Sequence, residues 1–243
     1  LTAASLNAES GSLIQANGNN GPGGAIAANG SDIHLAGTIQ ANGSNGGSFA
    51  ATANTLTIDS AAVIQTNGQA GPGGTIALNS NQDIQINQAL ISANGDTDGG
   101  SIRIVSNAGN LNIQNTVIQT NGSTGRGGSI GIAAFNQTIL ADTTVEATGL
   151  NRGGTILIGN DAKNGTLPFS IYTDINSGSV ISSRAKNADG VGGFIETSGH
   201  ALNLLGVINA GQDGLWLIDP YNITITSSAD ANVSNSSYTY TPN

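Results

Sequence analysis

The chain has 243 residues, a net charge of −9, fewer than one charged residue in ten, 36 glycines and no cysteine or methionine. With 37% hydrophobic residues it is too apolar and too weakly charged per residue to stay disordered, so it folds. The absence of cysteine excludes a disulfide framework and a thiolate metal site, and no apolar run approaches the roughly 20 residues that span a bilayer.

The six basic residues, Arg103, Arg126, Arg152, Lys163, Arg184 and Lys186, are scattered singly, which argues against nucleic acid as a partner and against membrane insertion or a polybasic lipid contact. No basic-then-apolar signal layout opens the sequence, which begins at Leu1 rather than Met, as a mature or excised piece would.

In chain order, LIQANG at Leu13 returns as TIQANG at Thr38, VIQTNG at Val63, LISANG at Leu90 and VIQTNG at Val117. It then decays to TVEATG at Thr144, VISSRA at Val180 and VINAG at Val207. The anchors Ile14, Ile39, Ile64, Ile91, Ile118, Val145, Ile181 and Ile208 recur at intervals of 25, 25, 27, 27, 27, 36 and 27 residues. A near-constant period of this length marks a solenoid.

Each period holds three short alternating strands. After the Ile-x-Ala/Thr strand comes Asn-Gly, then a glycine pair that opens a second strand such as Thr75-Ile76-Ala77-Leu78, then a third such as Ile84-Gln85-Ile86. Three strands per turn, with no helical periodicity, predict an all-β fold: a right-handed parallel β-helix of about eight coils stacked at about 4.8 Å. The rod is expected over 1–226, with 227–243 a polar extension or the start of a further coil.

Stacking predicts an interior ladder of Ile14, Ile39, Ile64, Ile91 and Ile118 and a corner ladder of Asn17, Asn42, Asn67, Asn94 and Asn121. The glycines after those asparagines, Gly18, Gly43, Gly68, Gly95 and Gly122, are expected in the left-handed region. Residues preceding the isoleucines should form a mostly β-branched outer stripe, unless a corner turns both inward. LNAESGSLIQ from Leu6 aligns with LTIDSAAVIQ from Leu56, so the chain enters in mid-coil and further coils or a cap are expected upstream.

Irregular coils with Asn-Gly and Gly-Gly turns, GGFIETSGH at Gly192 to His200, and GLWLIDPYNITI at Gly214 to Ile225 resemble the passenger of large bacterial exoproteins of the filamentous-haemagglutinin-like type. The last segment is similar to that family's Gly-x-Trp-Leu-x-Asp-Pro-Tyr stretch. The resemblance implies secretion by the two-partner route through an outer-membrane transporter barrel. It further implies a secreted or cell-surface adhesin or matrix fibre that meets a host-cell, glycan or matrix surface and associates end to end or laterally. The Asn-Pro-Asn motifs of that family's secretion domain are missing, so the chain matches an internal or C-terminal stretch.

Catalytic, metal and cofactor sites are weakly indicated. NGQAGPGG at Asn67 lacks the Lys-Ser/Thr of a phosphate loop and recurs as a turn. Asp96-Thr97-Asp98-Gly99 opens like a calcium loop, but its twelfth position is Asn107 rather than Glu. Asp32 and Asp83 share a register two coils apart, about 10 Å, with Thr55 between and no further acid or base. His34 and His200 are expected at the surface or at corners, and the sequons at Asn29, Asn121 and Asn222 carry no weight in so Asn-rich a chain.

The strongest anomaly is the 36-residue interval, which inserts residues within 159–178 and carries Phe169 and Tyr172. Together with Trp216 and Tyr221 these aromatics are the candidate glycan- or partner-binding residues, against internal packing where the coil changes shape, which is the preferred reading. The sequence therefore points to a non-enzymatic structural or adhesive segment without a cofactor. The alternative is a carbohydrate-active β-helix enzyme, a polysaccharide lyase or hydrolase.

Overall fold

The computed structural model describes residues 1–59 and 61–222, and all regular structure among them is parallel β-strand. The last residues of the expected rod, 223–226, and the polar segment 227–243 lie outside the described residues.

Three stacks run along a parallel β-helix of about eight turns. The first stack holds eight three-residue strands, from Leu13–Gln15 through Leu90–Ser92 to Val207–Asn209, paired in register so that Ile14, Ile39, Ile64, Ile91, Ile118, Val145, Ile181 and Ile208 lie in one column. The second stack follows each glycine pair, as in Thr75–Ser80, Ser101–Ser106, Thr155–Ile158, Phe194–Gly199 and Leu215–Pro220. The third contains Thr55–Ile58, Ile84–Asn87, Leu111–Gln114, Gln137–Ala141 and Tyr172–Ile175. In the second coil's approach one strand, Ala25–Leu35, runs through both, which joins the second and third stacks into a single sheet.

Alternation puts every second side chain inside. The column from Ile39 to Ile181 is fully enclosed, whereas the preceding residues point out: Leu13, Val180 and Val207 are exposed and Thr38, Val63, Leu90, Val117 and Thr144 half-buried. The outer β-branched stripe is therefore real and no corner turns it inward. Burying an isoleucine contributes roughly 1.5–3 kcal/mol, and the same column repeated in three stacks forms one continuous core.

The asparagine column works as a hydrogen-bonded rail. Each Oδ1 accepts from the backbone N–H one coil on: Asn42 to Asn17 at 2.8 Å, Asn67 to Asn42 at 2.7 Å, Asn94 to Asn67 at 2.8 Å and Asn121 to Asn94 at 2.7 Å. The Nδ2 groups of Asn17, Asn42, Asn94 and Asn121 in turn reach a side chain of the neighbouring strand, as Asn94 does to Gln119 at 3.2 Å and Asn121 to Glu146 at 3.1 Å. A glutamine rail, Gln15 to Gln40 to Gln65, runs beside it. These bonds satisfy corner N–H groups that the strands leave unpaired.

The glycines after the asparagines are not left-handed. Positive φ occurs instead at Ala61, Gln88, Asn115 and Asp142, on the corner between the third and first stacks, and at Gly11, Gly159, Gly165, Gly211 and Asp213. Gly18, Gly43, Gly68, Gly95 and Gly122 are needed for close approach: the turn folds back so tightly that a Cβ on Gly68 would lie 2.1 Å from the Pro72 carbonyl oxygen.

Candidate functional site

The 36-residue interval is where a coil departs furthest in length from its neighbours. Thr155–Ile158 ends at Gly159, whose φ of +82° breaks the strand, and the chain rejoins the third stack only at Tyr172–Ile175. The inserted residues form a strap, 159–171, that packs on the outer face of the second stack. Leu167 packs in a small apolar cluster with Val105, Ala133 and Leu157, opposite Gly131, which has no side chain to obstruct it. Arg103 ties the strap from the fourth coil, its Nη2 donating to the Thr166 carbonyl at 2.9 Å while its Nη1 donates to Asn79 Oδ1 at 2.7 Å.

Within the strap Asp161 is buried and organises a turn. Its carboxylate accepts from the Thr166 hydroxyl at 2.6 Å, the Asn164 N–H at 3.1 Å and the Asn164 amide at 3.3 Å, and its carbonyl accepts from Gly165 N–H at 2.8 Å. Burial raises the Asp161 pKa, but these donors outweigh it and hold the group below the ordinary carboxylate value.

Under the strap lies Glu196, fully enclosed although its register faces outward between Leu157 and Leu217. Its Oε1 accepts from Ser198 Oγ at 2.8 Å and from the strap's Ala162 N–H at 3.0 Å, while buried Oε2 has no partner. Burial pushes the Glu196 pKa up, the negative charges of Asp219 and Asp161 add to the rise, and the two donated hydrogen bonds only partly oppose it. Lys163, on the strap, leaves this carboxyl unpaired and sits 4.6 Å from the centre of the Phe194 ring.

Two carboxyls with opposite shifts form an acid–base pair in principle. Here one is sealed and the other has its oxygens occupied by the strap's own donors, so the closed strap offers neither to a substrate.

The four aromatics singled out in the sequence fall in three places. Phe169 and Tyr221 are joined through His200, whose ring centre lies 4.6 Å from Phe169 and 5.0 Å from Tyr221, nearly parallel to the latter. His200 and Tyr221 each directly follow a second-stack strand, at the same corner of successive coils. Tyr172 lies on the third stack, in register with Gln137 and Ala201. Trp216 is in register with Ile195 and so occupies an interior column, its Nε1 donating to Thr197 Oγ1 at 3.0 Å.

The remaining polar candidates are stitches between coils. His34 reaches Asn7 and Asp59, each at 3.0 Å, and so ties three successive coils together by hydrogen bonds. Thr55 donates to Asp32 at 2.5 Å, and Asp83 accepts from the Asn110 backbone and amide. Asp98 accepts from the Arg126 N–H of the next coil at 2.7 Å. No group of three metal-ligating side chains forms among the described residues. Arg126 and Arg152, distant in sequence, become register neighbours on adjacent coils, so the basic residues are less scattered in space than along the chain.

Sequence reasoning missed Glu196 and Asp161. The signal for Glu196 was a lone acid in GGFIETSGH at the outward position where the coils on either side carry leucine. No protein family model, no characterised protein and no solved structure matches this chain.

Proposed function

We propose that the chain is a structural or adhesive segment of a large secreted or cell-surface bacterial exoprotein, acting as a rod that gives reach and presents a surface. The observation that carries this reading is the use of its polar side chains. Asparagine, glutamine, aspartate and threonine are spent along the rod on coil-to-coil hydrogen bonds, as in the rail from Asn17 to Thr148. A surface so built resists extension and bending, which suits a spacer or fibre.

The resemblance of GLWLIDPYNITI and GGFIETSGH to filamentous-haemagglutinin-like passengers supports export by the two-partner route and contact with a host-cell, glycan or matrix surface. The second reading, a carbohydrate-active enzyme, has in its favour the oppositely shifted Asp161 and Glu196.

Immunogold labelling of producing cells with antibody against the purified rod tests the proposal. Label on the cell surface or in the medium is expected, together with retention on host-cell or matrix layers of beads coated with the rod. Label confined to the cytoplasm, or coated beads that bind no better than bare ones, contradicts it.

A further inference from the structure

Among the described residues the buried side-chain oxygens without a partner are five hydroxyls, of Ser12, Thr66, Thr120, Ser182 and Ser183, and one carboxyl oxygen, that of Glu196. A carboxyl is entirely enclosed, one of its oxygens has no hydrogen bond, and the cover over it is not a coil of the helix but the inserted strap. Moving an ionised carboxylate out of water with one oxygen left without a donor is far more costly than moving the neutral acid. The charged groups around it do not relieve that cost. On the strap, Asp161 is an anion and Lys163 is directed to the Phe194 ring; on the eighth coil, Asp219 is another acid; Arg103 grips the far end of the strap at Thr166.

We propose that residues 159–171 are a pH-governed strap, closed over the second stack while Glu196 is protonated and released when it ionises. Opening lets water reach the carboxylate, the proton leaves to solvent, and the Ala162 N–H loses its acceptor. What opening uncovers is an apolar strip on the outer face of the rod, Val105, Ala133 and Leu157, continued by Glu196 itself. The strap thus makes one face available at higher pH that is covered at lower pH, without disturbing the coils. Asp161 sets the opposite limit, since its turn needs the ionised carboxylate.

Hydrogen exchange followed by mass spectrometry on the whole chain from pH 5 to 8.5, corrected for the intrinsic exchange rate, tests this. Peptides covering 160–169 should lose protection as pH rises from the ordinary carboxylate value that Glu196 has when the strap is open towards its raised value in the closed state, by up to tenfold per pH unit because one proton is released, and should level off above it. Peptides from the first stack should not change. Glu196→Gln keeps an acceptor for Ala162 and Ser198 but cannot ionise, and Glu196→Leu continues the column of Leu157 and Leu217; in both, strap protection should be independent of pH over this range. Two variants guard against one failing to fold, checked by far-ultraviolet circular dichroism. Strap protection that is flat in the wild type, or a pH slope that survives in either folded variant, overturns the proposal.

Discussion

Replacing Gly68 by alanine isolates the reason for glycine in these turns. A Cβ there would lie 2.1 Å from the Pro72 carbonyl oxygen and 2.6 Å from that of Gly71, both backbone atoms that cannot rotate away. An ordinary contact begins near 3.4 Å, so the turn must open by more than 1 Å. That strains the bonds from Gly68 N–H to the Asn94 carbonyl at 2.8 Å and from Gln69 N–H to the Gly43 carbonyl at 2.8 Å. Overpacking with a weakened hydrogen bond costs about 2–4 kcal/mol. Gly21, in the equivalent turn of the first coil, has nothing within 4 Å of its added Cβ, and Gly21→Ala should be neutral or stabilise by about 0.5 kcal/mol.

Urea unfolding followed by circular dichroism compares the midpoints. Gly68→Asn separates the two explanations, because asparagine tolerates a left-handed backbone but not lost space. It should destabilise at least as much as alanine does. Midpoints for Gly68→Ala and Gly68→Asn no lower than for Gly21→Ala would refute the close-approach argument.

Three further outcomes follow from the same geometry. Ile91→Ala, in a fully enclosed column flanked by Ile64 and Ile118, should cost about 3–4 kcal/mol in urea unfolding, because coils held by backbone ladders on both sides cannot collapse into the cavity; Ile14→Ala, only half-buried, should cost about half as much. Asn67→Ala removes the acceptor for Asn94 N–H and Ser92 Oγ and should cost about 1–3 kcal/mol, seen also as faster exchange of the Asn94 amide. Asp161 has a lowered pKa in the folded chain, so its contribution is present above the unfolded value of about 3.9 and is lost as pH falls through the lower folded value. Acid should therefore loosen the strap, measured by exchange quenched from pH 2–4, and Asp161→Asn should remove that acid dependence.

The coil architecture was legible in the sequence because every period repeats the same three-strand pattern, so the register of Ile64 over Ile39 follows from counting. The role of the turn glycines was not, since a glycine demanded by crowding and one demanded by positive φ look alike along the chain. The residues that do adopt positive φ, Ala61, Gln88, Asn115 and Asp142, share no chemistry that marks them. The insertion was visible as an anomaly of length, but its folding back depends on Leu167 finding Val105 and Ala133, coils away, and on Gly131 leaving room. Trp216 stands in a second-stack strand, where pairing with Ile195 puts it in an interior column, and a length pattern of glycines and alternating residues alone does not say how far such a side chain is covered.

Under the proposed function the carboxylates of this rod serve structure and not chemistry. This is tested most directly by incubating the purified chain with a panel of neutral and acidic polysaccharides and measuring new reducing ends and unsaturated uronate absorbance, beside Asp161→Asn and Glu196→Gln. No depolymerisation above buffer is expected in any of the three. Depolymerisation by the wild-type chain that is abolished in either variant would contradict it.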